Sequence, residues 1–143
     1  MILVNDILKE KGNNFYWVAP STITYDVLKL MAETNIGAVL IIEDDILKGI
    51  FSERDYARKI VLQGKSSINT HVADFMSTHI ITVGSCTQIT ECMQLMTDNH
   101  IRHLPVVDND KILGVVSIGD IVSRIIREQK NTIQQLENYI TGG

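Results

Sequence analysis

The sequence is an internal duplication. Residues 18–60 align with residues 83–125 without a gap when the chain is compared with itself at an offset of 65 positions. Ten of the 43 aligned pairs are identical, whereas ordinary residue frequencies would give about two or three. The identical pairs are Val18/Val83, Thr22/Thr87, Leu30/Leu95, Met31/Met96, Ile36/Ile101, Asp45/Asp110, Gly49/Gly114, Ser52/Ser117, Asp55/Asp120 and Ile60/Ile125. Each copy is too small to bury a good core alone, so the two copies are expected to pack on each other.

Each copy predicts the same order of secondary structure, β-α-β-β-α. The expected β segments are a short one near Val18 or Val83, a buried strand at 38–42 or 104–107, and a further strand at 47–51 or 112–116. An acidic turn joins the last two strands, and a second helix is expected to begin directly after Ser52 or Ser117. The predicted fold class is therefore α/β (α+β), with two such repeats packed as a pseudo-two-fold pair.

The repeats also predict how the chain divides. We expect repeat 1 at residues 1–62, a polar linker at 63–71, repeat 2 at 72–128 and a C-terminal helical extension at 129–143. Apolar residues recur at three- and four-residue steps from the second repeat into the extension: Ile121, Val122, Ile125, Ile126, Ile133, Leu136 and Ile140. This stripe predicts a contact with a second subunit, and packing back on the same chain is the alternative.

Composition and charge exclude several classes of protein. The net charge is −4, with no basic stripe of the kind that binds nucleic acid. The longest apolar run, Ala38 to Ile42, is much shorter than the roughly 20 residues that span a bilayer. The first 12 residues lack the pattern of an export signal. The two cysteines, Cys86 and Cys92, form no CxxC pair and are expected to be reduced thiols, so a cytoplasmic location is predicted.

One motif occurs in both copies, Gly-x-x-Ser-x-x-Asp. It runs from Gly49 to Asp55 and again from Gly114 to Asp120, each time between a strand and a helix. A structural interpretation is a helix N-cap, in which the serine and the acid satisfy the first turn. A functional interpretation uses the same geometry, because free amides at a helix start attract phosphate. A carboxylate one turn later can accept hydrogen bonds from the two hydroxyls of a ribose.

The order of elements, the duplication and this spacing resemble a tandem pair of cystathionine-β-synthase (CBS) domains. The most specific stretches are FSERDYARK from Phe51, IRHLPVVD from Ile101 and GVVSIGDIV from Gly114. The chain is similar to the stand-alone CBS pairs of bacteria and plant organelles. The resemblance implies a non-enzymatic regulatory module that binds an adenosine nucleotide (AMP, ADP or ATP, with NAD(H) or S-adenosylmethionine as further candidates). It also implies a homodimer and a separate effector protein.

The resemblance implies two sites, each drawing residues from both repeats. The implied residues of the Asp120 site are Thr22, Val27, Ile36, Gly37, Ala38, His103, Val115, Ser117 and Asp120. Asp120 would bind the ribose, while Ser117 and Thr22 would contact ribose or phosphate. The backbone at residues 36–38 would contact the edge of the adenine, and Val27 and Val115 would form the apolar walls of the site. His103 would face the phosphate, so affinity is expected to rise as the pH falls through the histidine range near 6.5.

The second implied site mirrors the first around Asp55. Its residues are Ile50, Ser52, Arg54, Asp55, Thr87, Cys92, Ile101 and Arg102. Ala38 stands where the first site has His103, which removes a cationic group, although Arg54 replaces the Gly119 of the other copy. The two sites are therefore expected to differ in affinity.

The sequence gives less support to a metal site or to catalysis. His100 and His103 have metal-like spacing without a third ligand, so no metal site is predicted. No nucleophile elbow surrounds Ser117, so no catalytic residue is predicted. Two alternatives stay open at this point. One is an interaction scaffold without a ligand, and the other is an NAD(H)-linked redox regulator that binds a thioredoxin-type partner.

Overall fold

A computed structural model describes residues 1–12 and 15–142 of the chain. Asn13 and Asn14, within predicted repeat 1, and Gly143, at the end of the predicted extension, lie outside the described residues. The described chain forms two compact units. Unit 1 comprises Met1–Asn13 and Thr82–Gly143, and unit 2 comprises Asn14–Ile81.

The two units contain the predicted elements, and the mixed α/β class is confirmed. In chain order the elements are α1 (Val4–Lys11), β1 (Trp17–Val18), α2 (Thr24–Thr34), β2 (Ala38–Glu43), β3 (Ile46–Ser52), α3 (Glu53–Asp55), a π-helical segment (Tyr56–Val61), 3₁₀ turns at Ser67–Asn69 and Val72–Asp74, α4 (Ile89–Asn99), β4 (His103–Asp108), β5 (Lys111–Ser117) and α5 (Ile118–Ile140). Strand β2 is buried along five of its six residues, as its continuous apolar sequence predicts.

The strands form one small sheet in each unit. In unit 2 the order is β1-β2-β3, with β1 parallel and β3 antiparallel to β2. In unit 1, β4 and β5 form an antiparallel pair. The short β segment predicted near Val83 is reduced to one residue, Val83, which forms an isolated parallel bridge to Val106. The Gly84 N–H that follows donates to Thr87 Oγ1 at 3.0 Å, so the chain turns away at once.

Both hairpins close through the predicted acidic turns. Asp44 and Asp45 have φ of 52° and 61°, and Asn109 and Asp110 have φ of 49° and 64°. Two consecutive residues with positive φ are the geometry of a type I′ turn, which matches the twist of an antiparallel hairpin. Asp and Asn tolerate this conformation better than most residues, which explains the composition of both turns.

The first segment of each predicted repeat, here called its lead-in, packs in the unit that holds the rest of the other repeat. The lead-ins are α1 (Val4–Lys11) in repeat 1 and residues 72–77 in repeat 2. Helix α1 lies within predicted repeat 1 but packs in unit 1, where the Val4 N–H donates to the Thr87 carbonyl at 2.8 Å. Ser77, at the end of the lead-in of repeat 2, packs in unit 2, where it exchanges backbone hydrogen bonds with Ile50. The repeats of the sequence and the compact units of the structure are therefore different segments.

The packing of the exchanged lead-ins explains why each repeated motif begins with glycine. A Cβ on Gly49 would lie 2.5 Å from Met76 Sδ, and one on Gly114 would lie 3.1 Å from Leu8 Cδ2. Met76 and Leu8 belong to the two exchanged lead-ins. Because the lead-in packs this closely on the strand, a side chain at the glycine would force a shift.

Helix α5 contains the predicted C-terminal helical extension. It runs unbroken from Ile118 to Ile140, and every residue from Ile126 to Ile140 is exposed. Within the described part of the chain, no helix is both long and apolar enough to cross a lipid bilayer.

Candidate functional site

Both repeated motifs form a capping box. At Ser117, the hydroxyl accepts the Asp120 N–H at 3.1 Å, and Asp120 Oδ2 accepts the Ser117 N–H at 2.9 Å. At Ser52, the corresponding distances to Asp55 are 3.2 and 3.0 Å. The predicted N-cap is therefore present in both copies. What differs between the copies is the set of side chains around the two carboxylates.

Asp120 lies at a charged corner of unit 1. Lys11, at the end of α1, donates to Asp120 Oδ2 and to the Val115 carbonyl, both at 2.8 Å. The neighbouring Glu10 pairs with Arg124 and Arg127 of α5, which holds the end of α1 against this helix. The result is a carboxylate, an ammonium and the positive N-terminal end of a 23-residue helix at one place.

Asp120 is ionised at neutral pH and remains partly accessible. Burial would raise the pKa of its carboxyl, but the Lys11 ammonium and the Ser117 hydrogen bonds outweigh burial and lower the pKa. A quarter of its side chain is exposed. Asp120 therefore presents a negatively charged acceptor that an incoming hydroxyl group can reach.

His103 lies on the strand beside this corner. It begins β4 and is paired in register with Ser117. Burial lowers the pKa of His103, the charges of Lys11 and Arg102 lower it further, and only Asp120 opposes them. The histidine is therefore neutral at pH 7. The pH range in which it could become a phosphate-binding cation lies below the range near 6.5 expected from sequence.

This shift predicts how acid affects stability. Because the pKa of His103 is lower in the folded state, the unfolded chain takes up the proton first as the pH falls. The stability contributed by neutral His103 is present above about pH 6.5 and is lost below it. We expect His103→Gln to reduce the loss of unfolding free energy between pH 7.5 and pH 5, measured by urea unfolding with circular dichroism.

A matched control is available for this measurement. His79 is exposed, so His79→Gln should leave the acid sensitivity as it is in the wild-type chain. An equal loss of stability in the wild type and in His103→Gln would contradict the assignment to His103.

Asp55 is enclosed by its own unit. Its Oδ1 accepts from Ser77 Oγ at 3.1 Å and pairs with Lys59 Nζ at 3.0 Å, while Oδ2 accepts from the Ser52 backbone and hydroxyl. Lys59 also donates to the Phe75 carbonyl at 3.2 Å. Only 9% of Asp55 is exposed. This carboxylate links the motif to the exchanged lead-in and has little surface for a ligand.

Each predicted site has members in both units. Unit 1 holds Thr87, Cys92, Ile101, Arg102, His103, Val115, Ser117 and Asp120, and unit 2 holds Thr22, Val27, Ile36, Gly37, Ala38, Ile50, Ser52, Arg54 and Asp55. In unit 1 the structure brings His103, Ser117, Asp120 and the Val115 backbone together. In unit 2 it brings Ser52 and Asp55 together, and Ala38 pairs with Ser52 in the sheet.

Val27, predicted as an apolar wall of the Asp120 site, and Cys92, predicted in the Asp55 site, have no exposed surface. Val27 packs in the core of unit 2, and Cys92 is buried in α4. Burial and the neighbouring Glu91 raise the pKa of the Cys92 thiol to about 11, so it is an uncharged core group at neutral pH. A ligand could touch either side chain only if its neighbours moved.

The backbone predicted to meet adenine is partly engaged within unit 2. Ile36 N–H donates to the Met31 carbonyl at 3.0 Å, and the Gly37 carbonyl accepts from Glu53 N–H at 3.1 Å. Ile36 and Gly37 also line an open pocket of about 390 Å³ together with Leu28, Met31, Ala32, Asn35 and Glu53. A volume of this size falls in the range of small-molecule pockets.

The residue pattern did not predict the cations and the serine that contact the two aspartates. Lys11 lies 109 positions from Asp120, and Ser77 lies 22 positions from Asp55. Their contacts depend on the exchanged lead-ins, which no local pattern indicates. Lys59 is different, because its spacing of four from Asp55 on a helix is a recognisable ion-pair signal.

Comparisons with known proteins agree with this architecture. A protein of Arabidopsis thaliana called "CBS domain-containing protein CBSX3, mitochondrial" is 41% identical over 149 residues, covering 98% of this chain and 72% of the relative. The structure of a protein with CBS domains from Burkholderia ambifaria superposes with a TM-score of 0.86 at 44% identity, covering 90% of this chain and 96% of that one.

A third comparison includes bound ligands. The CBS domain pair of protein MJ0100, solved with 5′-methylthioadenosine and S-adenosyl-L-methionine, has a TM-score of 0.76 and 26% identity, covering 90% of this chain and 98% of that one. The family model described as "CBS domain" matches residues 4–62 and 72–127. Since these two matches take up most of the chain, it belongs to the CBS domain family and carries two CBS domains.

Proposed function

We propose that this protein is a non-enzymatic regulatory module that binds an adenosine nucleotide at the Asp120 site. Asp120 binds the ribose hydroxyls, and the start of α5 with Ser117 binds phosphate. In this proposal the preference for an adenine base follows from the family resemblance. The nucleotide favours one arrangement of the chain, which a separate effector protein recognises. The active form is a homodimer.

One observation carries the proposal. The carboxylate of Asp120 is ionised, partly exposed and placed at the N-terminus of α5 beside the Lys11 ammonium. Acceptors for hydroxyls and donors for phosphate are therefore adjacent, as a ribose phosphate requires. The complex of the MJ0100 CBS pair with two adenosine derivatives supports the choice of ligand class.

The enclosure of Asp55 supports a single main site. Its carboxylate oxygens accept hydrogen bonds from Ser52 and Ser77 and pair with Lys59. A ribose would have to displace these groups at a buried position, which costs more than displacing one exposed lysine. We therefore assign high-affinity binding to the Asp120 site.

A ligand screen tests the function directly. Thermal unfolding of the purified chain is followed with AMP, ADP, ATP, NAD⁺, NADH, S-adenosylmethionine, ribose 5-phosphate and inorganic phosphate. The proposal expects stabilisation by an adenosine phosphate well above that by ribose 5-phosphate or phosphate. Stabilisation by NAD⁺ or NADH alone would indicate the redox regulator, and no stabilisation by any compound would indicate a scaffold.

Lys11 gives a prediction about phosphate. When ribose hydroxyls take the acceptor positions on Asp120, the Lys11 ammonium loses that partner and is available to a phosphate group. We expect Lys11→Met to reduce the ratio of AMP affinity to adenosine affinity by about tenfold, measured by calorimetry. An equal gain in affinity for both ligands would show that Lys11 only competes for Asp120.

The cellular compartment stays a prediction. The sequence pattern indicates the cytoplasm, whereas the Arabidopsis relative is named as mitochondrial. The binding chemistry proposed above is the same in either compartment.

A further inference from the structure

The last part of α5 carries an apolar face with a seven-residue repeat. We define the tail stripe as Ile126, Gln129, Ile133, Leu136 and Ile140, whose spacings alternate between three and four residues. This is the pattern of positions a and d in a coiled coil, with Ile126, Ile133 and Ile140 at a. The four apolar members are between 47% and 82% exposed.

The exposed part of the helix needs a partner. Every residue from Ile126 to Ile140 is exposed, so this stretch gains little from packing in its own chain. In proteins most of the stability of a helix comes from packing its apolar face and not from helix propensity. A row of exposed isoleucine and leucine side chains on such a segment is typical of a helix that packs on another helix.

The charges beside the stripe select the partner and its direction. Positions e, which flank the stripe, hold Lys130 and Glu137, and positions g hold Ile125, Thr132 and Tyr139. In a parallel pair, e faces g, and none of the g residues is charged. In an antiparallel pair of identical helices, e faces e, so Lys130 of each copy meets Glu137 of the other.

We propose that the tail stripe is a homodimer interface in which two copies of α5 pack antiparallel. Ile133 of each copy then lies opposite Leu136 of the other, and Gln129 lies opposite Ile140. Two Lys130–Glu137 ion pairs flank these layers. The proposal rests on the homodimer of the proposed function and is independent of nucleotide binding.

Charge reversal tests both the partner and the direction. Lys130→Glu gives a chain with Glu at both e positions, and Glu137→Lys gives a chain with Lys at both. Each variant alone is expected to dimerise about tenfold more weakly than the wild type, measured by sedimentation equilibrium at low salt. An equimolar mixture should recover wild-type affinity as a heterodimer, and so should the chain that carries both changes. Circular dichroism confirms that each variant keeps its helix content.

The outcomes separate the possibilities. Wild-type affinity in both single variants would overturn the tail interface while leaving a dimer through another face. Weakened single variants whose mixture does not recover would overturn the antiparallel direction. A wild-type chain that is monomeric at every concentration would overturn both the interface and the homodimer, without bearing on nucleotide binding.

Discussion

Replacing Asp120 by asparagine is expected to weaken adenosine-nucleotide binding by at least about tenfold, the loss of hydrogen bonds from ribose hydroxyls to a charged acceptor. Asparagine retains an oxygen that can accept the Ser117 N–H, so the cap of α5 is preserved. The variant therefore separates the two interpretations of the repeated motif. Isothermal titration calorimetry with the best ligand from the screen measures the effect, and circular dichroism checks the fold.

A control with the same charge change comes from the β4–β5 turn. Asp110 is exposed and has a φ of 64°, a conformation that asparagine adopts readily. Asp110→Asn should bind ligand like the wild type. If Asp120→Asn also binds like the wild type, Asp120 is only a helix cap and the ribose assignment fails.

Replacing Asp55 by alanine is expected to lower the free energy of unfolding of the chain by about 3 kcal/mol. The change removes the acceptor for the Ser52 N–H and the Ser77 hydroxyl and the counter-charge of Lys59. Trp17 is the only tryptophan of the chain and lies in β1 of unit 2. Its fluorescence during urea unfolding therefore reports on the unit that contains Asp55.

The equivalent substitution in the other copy is the control. Asp120→Ala should shift the Trp17 transition less than Asp55→Ala, because Asp120 is more exposed and pairs with an exposed lysine. Ser77→Ala should cost less than Asp55→Ala, since it removes one of several groups that donate to the carboxylate. Equal, small effects of Asp55→Ala and Asp120→Ala would show that the two aspartates have the same role.

Local patterns in the sequence predict the local structure well. The capping boxes at Ser52 and Ser117 join residues three positions apart, and the turns at 44–45 and 109–110 depend on the conformational tolerance of Asp and Asn. The duplication then assigns the same elements to both repeats. Each of these features is set by neighbours along the chain, so the sequence is sufficient to find it.

The different environments of the two aspartates could not be predicted in this way. Asp55 and Asp120 have the same motif, but Ser77 and Lys59 enclose one, while Lys11 covers the other only in part. Lys11 and Ser77 reach the aspartates through the exchanged lead-ins, whereas Lys59 is one helical turn from Asp55. The sequence also did not predict the π-helical turn at Tyr56–Val61 or the lowered pKa of His103. Burial and the Lys11 charge lower the pKa of His103, and residue spacing does not encode either of them.

The exchanged lead-ins also determine the order in which the chain can fold as it is synthesised. Unit 2 is continuous from Asn14 to Ile81, so all of its segments are synthesised before most of unit 1. Helix α1 is made before unit 2, yet its binding surface, including Thr87 and Gly114, is made after unit 2. During synthesis the apolar side of α1 therefore stays uncovered until the part of unit 1 that contains Thr87 and Gly114 has been made. A circular permutant that places α1 after α5 would make each unit from one continuous segment and would remove this delay.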